Sequence, residues 1–308
     1  MIMKKLSFIA LILFNFAFGA DKLYQKALEF ESKGDMENAL KYYKLAAQKS
    51  LSINNEPKSQ DLTADFQQKP NDEMAQDSEL FWGISTYDIN YFMPLSYSSP
   101  NSFKKDISSQ FQISLKKLIF DDILGFNEKY YFAYTQISWW DLYADSAPFY
   151  ETNYRPELFV EFPLKYRNLI NLKFGFLHDS NGKDDELSRS WNRLYIASEF
   201  EFDKLTITPR LFQRIPDSKD DNPNIQNYKG RGDINLKYNM DNGAIFQAVF
   251  TNNLKFDKTN KSSLELGYLY PIKNGFYLYL SGFSGYSKSL QSYDRYQNSI
   301  NLGLAFIR

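Results

Sequence analysis

Cysteine is absent from the 308 residues, and there is one histidine. No thiol means no disulfide framework and no thiolate metal site, although that alone does not fix the compartment. An excess of one charge is also missing: 36 Lys and Arg stand against 37 Asp and Glu, for a net charge of -1. That balance gives no electrostatic case for nucleic acid. Long apolar runs are missing beyond the N-terminus, and the mean hydropathy is -0.50. That excludes a polytopic helical membrane protein. What the chain has in abundance is aromatic side chains, with 27 Phe and 23 Tyr. Such residues favour strands, and the length allows one large β domain or two ordinary ones.

The N-terminus reads as an export signal over residues 1–20. Lys4 and Lys5 precede an apolar run from Leu6 to Phe18, too short to span a bilayer, and cleavage is expected after Gly19 or Ala20. Residues 21–50 carry Ala27, Leu28, Phe30, Ala39, Leu40, Tyr43, Leu45 and Ala46 at roughly helical spacing, split by Gly34-Asp35. This is a short helical hairpin resembling one tetratricopeptide unit. A lone unit cannot bury its apolar face, so it reads as a docking hairpin or extension. Residues 51–80 are polar and Pro-containing, as a linker is.

From residue 81 to 308 the period changes to two. Phe111, Ile113 and Leu115 alternate with Gln112 and Ser114, and Ile234, Leu236 and Tyr238 with polar residues; Leu158, Val160 and Phe162 alternate with Glu157, Phe159 and Glu161; Leu264, Leu266 and Tyr268, and Ile300, Leu302 and Leu304, alternate with charged, polar or small residues. A soluble sandwich would turn the apolar face inward. A membrane barrel would turn it to lipid. Segments near ten residues or longer favour the barrel, since globular strands average about 5–6. So do aromatics at segment ends, namely Phe81-Trp82, Tyr130-Tyr131, Trp139-Trp140, Tyr293 and Tyr296. About twelve segments predict an all-β, twelve-stranded antiparallel transmembrane β-barrel with a short N-terminal helical extension.

The one histidine, His178, sits in Gly175-Phe-Leu-His-Asp-Ser180-Asn-Gly-Lys-Asp-Asp-Glu-Leu-Ser188-Arg-Ser-Trp-Asn192-Arg. His178 and Ser180 share parity with Leu172, Phe174 and Phe176, and Asn192 shares parity with Leu194 and Ile196. All three are expected on the apolar, lipid-facing side. A hairpin centred on Asp185 would set His178 opposite Asn192, within reach of a hydrogen bond. The chemistry of that trio is nucleophilic: Ser180 attacks an ester, His178 takes its proton, and Asn192 orients the ring. A nucleophile facing lipid implies a lipid substrate.

His178-Asp-Ser-Asn-Gly182 followed by Ser188-Arg-Ser-Trp-Asn-Arg193 resembles the signature of the outer membrane phospholipase A family. So do Thr135-Gln-Ile-Ser-Trp-Trp140, Pro148-Phe-Tyr-Glu-Thr-Asn-Tyr154 with Pro156, and Asp220-Asp-Asn-Pro223. The resemblance implies a twelve-stranded outer-membrane barrel that hydrolyses phospholipid acyl esters at both the A1 and A2 positions, and lysophospholipids, with calcium and as a homodimer. It carries Ser180 onto the nucleophile, His178 onto the base and Asn192 onto the orienting residue. Gly182 falls on the backbone donor to the oxyanion. Ser188 and Lys183 fall on calcium-ligating positions, Lys183 through its carbonyl in place of the family's Arg. Ser146 falls on the position that reaches calcium from the partner subunit, and Gln136 on a residue bonding across the dimer interface. The N-terminal extension is then periplasmic.

Gln136 also follows Tyr130, Phe132 and Tyr134 in parity, a polar group facing lipid or a partner. Glu157, Glu161, Lys173, Arg193, Glu199 and Lys237 face the other way and read as a charge network filling the barrel. Asp184, Asp185 and Glu186 are a solvated loop tip or a further ion site. Asp220-Asp-Asn-Pro223 reads as a turn. Two other readings compete, a non-catalytic barrel serving as pore or anchor, and a secreted β-sandwich esterase.

Overall fold

The computed structural model describes residues 22–52, 83–100, 103, 105–217, 220 and 222–307. The expected leader, nearly all of the expected linker and Phe81-Trp82 lie outside the described residues. The N-terminal unit is two helices, α1 (Lys22–Ser32) and α2 (Met36–Ser52), broken at Gly34-Asp35 as the periodicity predicts. Asp35 starts α2 by accepting the Asn38 backbone N–H at 3.2 Å, one of the amides with no partner inside a helix. Ala27 and Ala39 are buried, and Phe30 stacks on Tyr42 with ring centres 5.3 Å apart.

The second unit is a sheet. Its strands are β1 (Ile84–Thr86), β2 (Asn90–Ser99), β3 (Ile107–Asp121), β4 (Lys129–Trp140), β5 (Phe149–Tyr166), β6 (Leu169–Ser180) and β7 (Ser190–Phe202). Then follow β8 (Leu205–Ile215), a short helix α3 (Ile225–Lys229), β9 (Gly232–Asn239), β10 (Ile245–Asn252), β11 (Ser262–Lys273), β12 (Phe276–Gly285) and β13 (Gln297–Phe306). Each strand from β2 to β13 pairs antiparallel with the next, and β13 pairs back onto β2. The sheet therefore closes as a twelve-stranded barrel and leaves no unpaired edge for lipid to meet. Short β1 pairs with β3 beyond the part that β2 occupies, so β1 and β2 are one wall strand interrupted at residues 87–89.

Lipid exposure explains which residues face out. Along β13, Ile300, Leu302 and Leu304 are exposed while Ser299 and Asn301 are buried. That inversion of the usual inside-out rule is what a hydrocarbon solvent selects. Strands of 15 residues in β3 and 18 in β5 exceed what the apolar band needs.

The interior is a packed mixture of charge and aromatic rings. Glu157 is buried and accepts from the Tyr87 and Tyr195 hydroxyls. Lys173 lies 3.6 Å from Glu161, donates to the Tyr87 hydroxyl at 2.7 Å and sits over the Phe159 ring. Arg193 is buried against the Trp191 ring, and Glu199 and Lys237 share the inward parity. Glu157 and Lys173 are paired or bonded, which lowers the cost of burying their charge, whereas the Arg193 guanidinium lies against the Trp191 and Phe212 rings. The interior also corrects one expectation. Tyr131 and Trp139 are buried inside the barrel, and only their neighbours Tyr130 and Trp140 face out. Adjacent residues of a strand point to opposite faces, so a doublet of rings cannot belong wholly to an interfacial girdle. Tyr293 likewise packs against the inner cluster.

The two ends of the barrel differ. Connections at residues 167–168, 203–204 and 274–275 are tight turns, whereas those at 181–189, 216–231 and 286–296 are long. Outer-membrane barrels put long loops outside the cell.

Candidate active site

The site forms at the long-loop end, where β6 finishes and β7 begins. Register between them runs Leu177↔Arg193, His178↔Asn192 and Ser180↔Ser190, the pairing about Asp185 that parity predicts. The His178 Nδ1 lies 2.6 Å from Asn192 Oδ1. His178 and Ser180 are two apart on one strand and so stand side by side on the outward face. Leu177 and Asp179, of opposite parity, are buried. The alternation thus divides one strand end into an outer face carrying His178 and Ser180 and an inner, anchoring one. Asp179 is fully buried and binds Arg155 of β5 at 3.2 Å and Lys229 of α3 at 3.1 Å. Gly175 admits the Tyr195 ring, which a Cβ there would meet at 2.4 Å.

A row of outward residues crosses the wall at the height of Ser180. Ile113 pairs with Gln136, Gln136 with Tyr154, Tyr154 with Ser180, and Ser180 with Ser190. At about 4.8 Å per strand, Gln136 lies roughly 10 Å from Ser180 on the same outer surface. Its side chain accepts from the Tyr134 hydroxyl at 3.0 Å and donates to Ser138 at 3.2 Å.

The loop between the strands is folded by Asn181, which is buried. Its Oδ1 accepts the Arg189 N–H at 2.9 Å and the Lys183 N–H at 3.3 Å, and its Nδ2 donates to the Leu187 carbonyl at 2.8 Å. Gly182 has φ +62, and a Cβ there would stand 3.0 Å from the Tyr154 ring. Gly182→Ala is therefore expected to move the loop, with turnover falling at least about tenfold and the barrel intact. Comparing kcat with the heat-modifiable gel mobility of the variant checks this. Lys183 points its ammonium at Gln291 Oε1, 2.6 Å away, and at the Tyr150 carbonyl. Ser188 is half-buried at the end of the loop, and Asp184 and Glu186 are exposed at its tip. Ser146 stands in the β4–β5 loop, exposed with φ +66, and this loop is tied down by Trp140 Nε1 donating to the Ala147 carbonyl at 2.8 Å. Among the described residues, no group of three or more His, Asp or Glu could hold a metal ion. The calcium candidates are instead neutral oxygens, the Ser146 and Ser188 hydroxyls and the Lys183 carbonyl, a donor set that suits a hard cation.

The chain matches the phospholipase A1 family model over residues 66–306. It belongs to that family. Phospholipase A1 of Escherichia coli K12 is 36% identical over 225 residues, covering 71% of this chain and 76% of the relative. A Neisseria meningitidis relative is 35% identical over 252 residues, and this chain spans 65% of its length. Among solved structures, outer membrane phospholipase A from Escherichia coli superposes with a TM-score of 0.69 at 32% identity, covering 75% of this chain and 94% of that one. The Salmonella typhi outer membrane phospholipase, solved as a dimer with bound calcium, gives 0.68 at 31% identity over 74% and 93%. Within this family the chain is an outer-membrane barrel.

Three residues near the site escaped sequence reading. Asn181 lies inside the His178–Gly182 motif, and Asn before Gly is a turn signal that could have flagged it. Asn222 belongs to a segment expected only as a turn. It is buried and clamps β7, accepting the Ser190 N–H at 2.9 Å and donating to the Ser190 carbonyl at 2.7 Å. Asp217 accepts from both Ser190 and Asn192, and no spacing rule links residues so far apart in sequence.

Proposed function

We infer that this chain is an outer-membrane phospholipase that cleaves phospholipid acyl esters at the A1 and A2 positions, and lysophospholipids, with Ser180, His178 and Asn192 as its catalytic residues. The observation that carries this reading is the His178–Asn192 hydrogen bond beside Ser180, on the face turned to lipid. As Ser180 Oγ bonds to the ester carbonyl carbon, its proton passes to His178 Nε2. The same proton then goes to the departing alcohol or lysophospholipid oxygen as the C–O bond breaks. Water repeats the sequence on the acyl-serine, releasing the fatty acid and restoring Ser180. Asn192 holds the ring, and a neutral amide suits a lipid-facing position better than a carboxylate. The Gly182 N–H is assigned to the carbonyl oxygen as it gains charge.

Calcium would be held by Ser188 and the Lys183 carbonyl of one subunit with Ser146 of a second copy. Bound there, it supplies positive charge next to the developing oxyanion. A second copy also gives Gln136 a partner on the surface it shares with Ser180, so the homodimer and the active site occupy one face. The chain is exported by residues 1–20, cut after Gly19 or Ala20, with residues 21–80 in the periplasm. Fatty acid release from phospholipid–detergent mixed micelles in calcium tests the reading. Release is the expected result. No release in calcium, together with steady conductance in planar bilayers, would replace it with a pore.

A further inference from the structure

The hydrogen bonds of the site continue beyond Asn192 by one residue. Asn192↔Ile215 is a register pair of β7 and β8. Running that register on by two places Asp217, just past the end of β8, opposite Ser190. Its carboxylate joins the first two outward residues of β7. One oxygen accepts from the Ser190 hydroxyl at 2.5 Å, and the other accepts from the Asn192 amide nitrogen. Asn222 fixes the backbone of Ser190 from the other side, and Arg214 holds the same loop through Asp220 at 2.7 Å.

An amide offers an acceptor at one end and two donors at the other, and rotation by half a turn exchanges them. An imidazole cannot decide between those orientations, because either tautomer finds a bonding arrangement with one end of the amide. A carboxylate decides it, since in its ionised form it only accepts. With Asp217 in place the Asn192 Nδ2 must face away from the ring, so Oδ1 must face His178 Nδ1. The ring then carries its proton on Nδ1 and keeps the Nε2 lone pair free to accept a proton. When Nε2 takes the serine proton, the negative carboxylate lies one amide away from the new imidazolium.

We propose that Asp217 is a positioning residue of the active site, fixing the orientation of Asn192 and through it the base tautomer of His178. This rests on the Ser180–His178–Asn192 reading. The chain's single histidine makes the test direct: protein labelled with 15N at histidine gives one pair of ring-nitrogen signals in detergent micelles. The parent and Asp217→Glu are expected to show the Nδ1–H form. Asp217→Asn, which can donate where Asp217 accepted, is expected to show a mixed or Nε2–H form. With calcium saturating, kcat should fall about 10- to 100-fold in Asp217→Asn and Asp217→Ala while KM stays within about twofold, less than the ~10⁴ lost when a directly bonded triad carboxylate becomes an amide. Asp217→Glu should recover part of that loss. A purely structural role would lower barrel stability without changing the tautomer. Parental kcat and an unchanged Nδ1–H signal in Asp217→Asn would overturn the proposal. So would a loss that extra calcium restores, which would make Asp217 an ion ligand. Ser180→Ala is run alongside: if it stays active, the serine reading itself has failed, whatever Asp217 does.

Discussion

Ser180→Ala is expected to lower phospholipid hydrolysis by about 10⁴-fold or more while the protein still folds as a barrel. The size follows from the mechanism. Ser180 Oγ supplies the atom that bonds to carbon in the first half-reaction, and without it no acyl-serine forms and only unpositioned water is left for His178 to act on. Oxyanion contacts and substrate binding survive, so a small residual rate over background is consistent. Folding should not suffer, because Ser180 is half-buried on the outward face and the ladder pairs its backbone. The measurement is fatty acid release from mixed micelles, with heat-modifiable gel mobility as the folding control. Undiminished hydrolysis in a correctly folded Ser180→Ala protein would remove the nucleophile, and the mechanism with it.

Chelating calcium is expected to cost about 10²- to 10³-fold in turnover, on the scale of losing one strong donor to an oxyanion. Adding calcium back should restore the rate, and magnesium should do so poorly, because it demands a tighter octahedral shell and gives up water reluctantly. Ser188→Ala should raise the calcium needed for half-maximal rate by about tenfold or more with little change at saturation. Since Ser146 is assigned to the other copy's ion, diluting the protein in detergent until dimers separate should mimic chelation. Full activity in excess chelator, in dilute monomer, would sink both the ion and the dimer assignments.

The barrel was legible because lipid imposes a two-residue period on long segments, and β13 shows it in pure form with Ile300, Leu302 and Leu304 facing out. His178, Ser180 and Asn192 were legible for the same reason, since parity fixes faces and the register about Asp185 fixes neighbours. What parity could not supply was the inside. Polar and aromatic residues share that face, so Tyr131 and Trp139 read as girdle residues when they are core. Nor could it supply loops. Helix α3 spans five residues, too few to show a helical period, yet it delivers Ile225 to the inner cluster and Lys229 to Asp179. Asp217 comes from a polar stretch with no pattern of its own, and only the continuation of the β7–β8 register reveals what it faces.

The buried ion pairs of Asp179 have a consequence for assembly. Sliding β6 by one residue would turn His178 and Ser180 into the lumen and push Asp179 out towards hydrocarbon. It would strip Arg155 and Lys229 of their counter-charge at the same stroke. A charge at the membrane surface of a barrel costs up to a few kcal/mol, depending on depth, and stranded buried cations add to that. A mis-set strand is thus disfavoured by the same residue that sits between His178 and Ser180. Asp179 favours the one register that turns His178 and Ser180 to the lipid.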